Sequence, residues 1–473
     1  MTPLQLQGCA IETYVIDEYV QTDLQYLKLL QKAEVPTLLA LAGVQSHQFQ
    51  RSLDLAAYAL DNGIEHCIIG GPHPMTCDTS MLHNCGVSFA LSEADICWMA
   101  ILQDALSGEI RPVYGEGQRW QKQLKAPVLV PPSPQYLRRY ILPMIGIYPA
   151  RGCPFTCNFC SVIKIAGREI RSQDIETTMA SLRAAKAAGI RIILFTSDNF
   201  NKYPDAPELL QAMVAEKIQI PFMVQCDSQI VRQEDLIELL SRAGCGQMFV
   251  GVESFNRRIL LAAHKGQNHP ELYRDIVRLC RKYGISTQFS NILGFPQDTA
   301  DGIKGHLETL IGLEPDLASF YVLTPIPGTQ QYDEFLAEGR IYESNLDRFD
   351  ATCATWHHDH LRAGELDQLL FGCYRRFYTA SHLMKTQFRS RKLNQCPALI
   401  RALEGFGMHV FSRFSAFKRK HPMSGGIGRV FIDGIEDYRS LRVKRFGFDL
   451  VPLPKSLQLP PQDTLLNNRA KVS

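Results

Sequence analysis

The chain has 473 residues, with 50 Lys and Arg against 48 Asp and Glu, for a formal net charge of +2. That length admits two or three domains, and the near-balance of charge gives nucleic-acid binding no support. No segment approaches the roughly 18 apolar residues of a membrane span, and the N-terminus lacks a basic-then-apolar leader, so no membrane span and a cytoplasmic location are expected.

Residues 1–125 read as α/β. "AIETYVID" (10–17), "PTLLALAGV" (36–44), "EHCIIGG" (65–71) and "GVSFAL" (86–91) are strand candidates, the second of them a buried strand. "FQRSLDLAAYALDNG" (49–63) reads as an amphipathic helix closed by Gly63. Strands alternating with helices predict a parallel sheet. Residues 126–140 form a Pro-rich linker, in which "APVLVPPSPQYL" is too rich in proline for regular structure.

Residues 141–332 alternate again. Strands are expected at "MIGIYPA", "RIILFTSDN", "PFMVQCD", "GQMFVGVES", "STQFSNILGF" and "LASFYVLTP". Helices are expected at "IETTMASLRAAKAAG", capped by Ser172 with Asp174 in its first turn and ended by Gly189, and at "HPELYRDIVRLCRKYG". Six βα units predict a partial barrel, whose chemistry belongs at the C-terminal ends of the strands. Residues 333–450 read as a mostly helical extension, with one long helix at "ELDQLLFGCYRRFYTASHLMK" and a loop at "KRKHPMSGGIG". Residues 451–473 read as a loose tail.

Of the 14 cysteines, Cys67, Cys226, Cys245 and Cys280 lie in or beside apolar runs and read as buried apolar residues. Cys153, Cys157 and Cys160 do not. They crowd "RGCPFTCNFC" directly after the first barrel strand. Structural zinc takes four ligands, commonly as two separated pairs, and no second CxxC pair exists here. Ordinary iron–sulfur carriers give every iron a cysteine. Three cysteines on a cubane leave one iron open to a small chelating molecule.

"CPFTCNFC" resembles the CxxxCxxC signature of the radical S-adenosylmethionine (radical SAM) enzymes. The resemblance implies a [4Fe-4S] cluster on Cys153, Cys157 and Cys160, with S-adenosylmethionine on the open iron and radical chemistry at an unactivated carbon. "TSDNF" (196–200) resembles a turn that approaches the S-adenosylmethionine amino group, and "QCD" (225–227) ends the third strand; the strand-end residues Asp198, Asn199 and Gln225 are nominated to hold S-adenosylmethionine. "GVES" (251–254) resembles the element whose glutamate contacts the ribose, which nominates Glu253. Phe159 corresponds to an aromatic that packs beside the adenine. "NILGFPQDT" has Asp298 where glutamate is usual, and "TPIPGT" (324–329) is similar to the sixth-strand element of the cobalamin-linked branch.

That branch carries a flavodoxin-like, cobalamin-binding α/β domain before its barrel, and residues 41–120 resemble it through "GGPHPM" and "LSEADICWMA". Gly70 and Gly71 would let the backbone come close to a planar ligand at the strand ends. The chain has no DxHxxG motif, so a cobalt-ligating histidine of that kind is not expected. Such domains open with a strand, a helix and a second strand, whereas this chain begins at what reads as the second. A truncated start, a stub from Leu4 to Cys9, or a degenerate domain would each account for this.

The reading that follows is a radical SAM enzyme transferring a methyl group to an unactivated carbon of a small molecule, with cobalamin as methyl carrier. A flavodoxin or ferredoxin would supply its electron. The alternatives are a cyclase or rearranging enzyme without functional cobalamin, and a tRNA methylthiotransferase, for which Cys9, Cys67, Cys77, Cys85 and Cys97 are the available extra cysteines. "WHHDHL" offers His357, Asp359 and His360 as possible metal ligands, with a polar rim segment the favoured reading. Arg168 and Arg171 are candidates to neutralise the cluster or to bind a carboxylate.

Overall fold

The computed structural model describes residues 1–18, 20–21, 35–117, 119–121, 124–390, 398–428 and 435–458. The chain opens with a two-residue hairpin, β1 Gln5–Leu6 with β2 Cys9–Ala10. The expected strand "AIETYVID" is not formed, since only Ala10 of it is paired and residues 11–17 carry no strand.

The first sheet contains β3 Leu38–Leu41, β4 His66–Gly70, β5 Val87–Ala90 and β6 Val113–Tyr114, all parallel and side by side in chain order. Among the described residues β3 pairs only with β4, so it is a partly exposed edge rather than the buried strand expected. The helix Phe49–Asp61 covers this sheet, burying Phe49, Leu53 and Ala56 against Ile69 and Phe89. Gly63, φ 85°, follows its end.

The second sheet begins with β7 Met144–Ile147. A short antiparallel pair follows, β8 Ala150–Arg151 with β9 Arg171–Ser172. The remaining strands are β10 Ile192–Phe195, β11 Phe222–Cys226, β12 Cys245–Glu253, β13 Ser286–Leu293 and β14 Leu317–Val322. They run parallel in the order β14-β13-β12-β11-β10-β7, the six-stranded partial barrel expected, with helices packed outside on the largest apolar core. Asp174, not Ser172, caps the helix Ile175–Ala187, its carboxylate accepting from Thr177 N at 2.8 Å. Ser172 is paired in β9 instead.

An open barrel leaves β14 with unpaired backbone groups. Side chains of the C-terminal helices take them. Tyr378 Oη accepts from Ala318 N at 3.1 Å and donates to Ala318 O at 2.7 Å. Tyr374 Oη does the same for Phe320 N and O, each at 3.1 Å. His421 Nε2 and His382 Nε2 reach Phe320 O and Asp316 O. The expected single long helix is two, Ala363–Phe377 and Ala380–Ser390. The break at Tyr378–Thr379 falls where Tyr378 turns to serve the edge. Two short 3-10 turns, Pro422–Ser424 and Gly426–Gly428, stand in the expected loop. In the Pro-rich linker, Ser133 caps a short helix, Pro134–Leu137, where no regular structure was expected. Proline in a first helical turn loses no intrahelical hydrogen bond.

The C-terminal end returns to the first domain. The helix Ile435–Phe446 packs on Phe49–Asp61, with Arg442 Nε 3.3 Å from the buried Asp54 carboxylate. Residues 451–458, expected to be loose, are pinned. Val451 N donates to Gln50 Oε1, Tyr332 Oη to Pro454 O, and Leu457 N to Thr76 O. The rest of the expected tail lies outside the described residues.

Candidate active site

The three cysteines sit in a loop whose two ends are clamped together. β8 and β9 pair at Ala150↔Ser172 and Arg151↔Arg171, closing the segment between them. Gly152, φ 106°, begins the loop, and a Cβ there would fall 2.3 Å from Glu169 O, so only glycine fits. Within the loop Cys153 N donates to Gly167 O, Asn158 N to Ala263 O, and Cys160 N to Cys157 O. Arg168 Nη2 donates to Pro154 O at 3.0 Å, so this arginine braces the loop.

The cysteines fit the cluster. Burial, helped by the neighbouring thiols of the trio, pushes the Cys153 thiol up to about 11 and the Cys160 thiol up to about 12. Thiols in so dry a site ionise when iron takes the charge. Among the described residues no three His, Cys, Asp or Glu side chains converge on a single metal ion. Cubane thiolates each ligate a different iron and so stand apart from one another. "WHHDHL" forms no such group either; His358 Nε2 bonds Phe295 O, and Asp359 pairs with Arg340.

Beside the loop lies a cavity of about 180 Å³ lined by Phe159, Glu253, Ser290, Ile292, Tyr321 and Ile326, among others. It brings Phe159, Glu253 and the start of "TPIPGT" together. A second cleft of about 210 Å³, against Asp367, Phe371 and Arg419, contains none of the sequence-predicted residues, and the chemistry favours the first.

The strand-end residues behave differently. Asp198 is held by Tyr148 Oη and Gly152 N, each at 2.7 Å, and burial raises its carboxyl. It ties β10 to the start of the cluster loop. Asn199 bridges to Asp227, with Nδ2 donating to Oδ2 at 2.7 Å and Oδ1 accepting from Asp227 N. Gln225 lies half-buried on β11. Asp298 accepts from Gly294 N and Phe295 N, which makes it a turn brace, and burial lifts its carboxyl to about 6.

The reading of the sequence missed Lys265. Its Nζ is 3.2 Å from Glu253 Oε1. It also underused Arg171, whose guanidinium grips Glu93 of the first domain with both Nη atoms, at 2.8 and 2.7 Å. Arg151 reaches two carboxylates through the single atom Nη1, Asp95 at 2.5 Å and Glu93 at 3.2 Å. An arginine flanking a cysteine loop and an acidic "SEAD" run were the available signals, but nothing in sequence joins positions 78 residues apart.

Segments that follow β4, β5 and β6 reach the elements around this loop, through Pro72–Thr76, Glu93 and Arg119. After β4, the helix Pro72–Thr76 packs on the helix Val162–Ala166 that follows the cysteines. Thr76 also abuts Gly328 of "TPIPGT", where a Cβ would lie 2.4 Å from its own. At Gly71, φ 133°, a Cβ would fall 2.2 Å from Val44 N, so glycine is required there by the neighbouring loop itself. Next to it Gly43, φ 73°, has open space where a side chain would stand. Gly70 sits at the end of β4, its missing Cβ in ordinary contact with Ala90.

A partial parallel barrel with a three-cysteine loop after its first strand, packed against a second parallel sheet, has the donor set and the architecture of an iron–sulfur enzyme. Residues 147–310 match the model of the radical SAM superfamily, so the barrel is a radical SAM domain, and the cofactors that such a domain takes are a [4Fe-4S] cluster and S-adenosylmethionine. The chain is 25% identical over 338 residues to bacteriochlorophyllide d C-12(1)-methyltransferase of Chlorobaculum tepidum, covering 69% of this chain and 72% of that one. Its fold is similar to that of the radical S-adenosylmethionine methyltransferase TsrM of Kitasatospora setae, solved with cobalamin and a [4Fe-4S] cluster (TM-score 0.60, 15% identity, 82% of this chain and 90% of that one). It is also similar to that of the cobalamin-dependent radical enzyme OxsB, solved with aqua-cobalamin and S-adenosylmethionine (TM-score 0.62, 14% identity, 93% and 74%).

Proposed function

We propose that this enzyme transfers a methyl group to an unactivated carbon of a small molecule, with cobalamin held between its two domains. The observation that carries the reading is the packing of the segments after β4 and β5 of the first sheet against the cysteine loop and the barrel, through Arg171–Glu93 and Thr76–Gly328. A methyl carrier must lie between its donor and its acceptor, and this is where open-sheet folds take ligands. When bound, the cluster and S-adenosylmethionine supply a carbon radical and the corrin supplies the methyl group.

The chain's own residues hold and shield. Cys153, Cys157 and Cys160 take the cluster. Phe159 offers an apolar face to the adenine, and Glu253 accepts from the ribose hydroxyls. Asp198, Asn199 and Gln225 line the approach to the methionine amino group, the first two through the braces described above. Gly70 and Gly71 shape the turn under the corrin. Ile292, Tyr321 and Ile326 make the remaining cavity largely apolar, which excludes water from a reactive radical. A one-electron donor of the flavodoxin or ferredoxin kind reduces the cluster, and the cytoplasm supplies both donor and reducing conditions. Among the described residues no helix is long and apolar enough to cross a membrane.

The test is anaerobic reconstitution with iron, sulfide and hydroxocobalamin, followed by gel filtration. About one corrin per chain is expected to stay with the protein. With methyl-labelled S-adenosylmethionine and reductant, label should reach the corrin. Corrin that elutes entirely with the small molecules would contradict the reading.

A further inference from the structure

Glu253 lines the cavity, and Lys265 forms a buried ion pair with it, their side chains 9% and 11% exposed. Lys265 Nζ is 3.2 Å from Glu253 Oε1 and 5.8 Å from the centre of the Phe159 ring. Ser290 Oγ donates to the other carboxylate oxygen at 3.2 Å. Burial works to lower the lysine's pKa, but the charges of Glu253, Cys157 and Cys160 overcome it and hold it above the ordinary value. The ammonium therefore lies within reach of the field of all three cluster cysteines.

The backbone is bent to make this pair. Glu253 adopts φ 61°, at a register shift between β12 and β13. Such a conformation persists only where its surroundings enforce it. Gly251 leaves the room, since a Cβ there would lie 2.6 Å from Glu253 Oε1 and 3.2 Å from Lys265 Nζ. Burying two ions costs several kcal/mol each, and a well-packed apolar pair would stabilise the fold as well. The pair therefore calls for a functional account.

We infer that Lys265 is a positioning residue with an electrostatic task, fixing the Glu253 carboxylate while holding a positive charge beside the cluster. The inference rests on the radical SAM reading. On reduction a low-potential one-electron carrier gives up one electron, the cluster gains it, and the cluster's charge becomes one unit more negative with no proton moved. A fixed cation nearby stabilises that more negative state, and the Glu253 carboxylate opposes it. Removing either charge must therefore shift the cluster's midpoint potential in opposite directions.

The experiment is an EPR-monitored redox titration of anaerobically reconstituted full-length protein without substrate. Lys265→Met is expected to move the midpoint to more negative potential, Glu253→Gln to more positive potential, and Lys265→Arg to leave it near wild type. If Lys265→Met fails to retain iron, Glu253→Gln and Lys265→Arg still decide by the sign of the shift in the first and its absence in the second. Equal potentials in wild type and Lys265→Met, or a common direction for both charge-removing variants, would overturn the inference. A wild-type protein that forms no cubane would instead overturn the enzyme reading beneath it.

Discussion

Arg171 and Glu93 form a two-pronged guanidinium–carboxylate pair that joins the barrel to the first domain. The Arg171 side chain is 2% exposed and that of Glu93 is 7% exposed. The arginine also donates to the carbonyls of Gln121 and Ala166, each at 3.0 Å. It stands one end of the cluster loop against the sheet that faces it.

Arg171→Met should strip the buried Glu93 carboxylate of its two-pronged partner and leave it only Arg151 Nη1, 3.2 Å away and shared with Asp95. Loss of one partner of such a pair costs about 3–5 kcal/mol. Urea unfolding should show that loss, and limited proteolysis should cut first within the 126–140 linker. A variant as stable and protease-resistant as wild type would show the pair to be incidental.

The tyrosine hydroxyls on β14 make a second expectation. Tyr378→Phe strands the N–H and C=O of Ala318 on the barrel edge, and Tyr374→Phe strands the Phe320 N–H, since His421 Nε2 still serves Phe320 O. Each should cost about 1–3 kcal/mol, the range for unsatisfied buried groups, and the double variant should be more prone to associate through the freed edge. Denaturation midpoints and light scattering measure both. An unaltered midpoint would mean that water serves the edge equally well.

How far the sequence is legible follows from what each feature depends on. The six barrel strands and the cysteine loop are local: β-rich runs between helices, and three thiols in eight positions. "AIETYVID" alternates well enough to read as a strand, but a strand needs a partner, and among the described residues the β3 edge is unpaired on its far side. The "loose" end at 451–458 has little pattern of its own and is ordered by Gln50, Thr76 and Tyr332, far away in sequence. Lys265 was invisible because one lysine in a polar loop carries no signal until Glu253 and Phe159 are brought to it.

Gly328 gives a test of the domain contact. Its φ of 94° disfavours any side chain, but so does the 81° of Gly189, which has open space around it. Gly189→Ala should cost only the backbone strain of about 1–2 kcal/mol. Gly328→Ala should cost more, because its methyl group meets Thr76. Equal losses in thermal stability would argue that the two domains do not touch there.

His73 supplies the pH dependence. It is 1% exposed, stacked on Phe49 at 3.9 Å and bonded through Nδ1 to Ser46 Oγ at 3.0 Å. Burial lowers its pKa from 6.5 to about 3. The folded state thus refuses a proton that the unfolded chain accepts below 6.5. Its contribution is fully present above that pH and is lost as pH falls toward 3. Between those limits wild type should lose about 1.4 kcal/mol per pH unit more than His73→Phe. Parallel stability curves for the two proteins would contradict this.

The most direct measurement is the EPR spectrum of the anaerobically reconstituted, dithionite-reduced protein before and after addition of S-adenosylmethionine. The account predicts a [4Fe-4S] signal whose g values change on addition, and no such signal in Cys157→Ala. A cubane signal that is identical with and without S-adenosylmethionine would contradict an open iron at the Cys153–Cys157–Cys160 site.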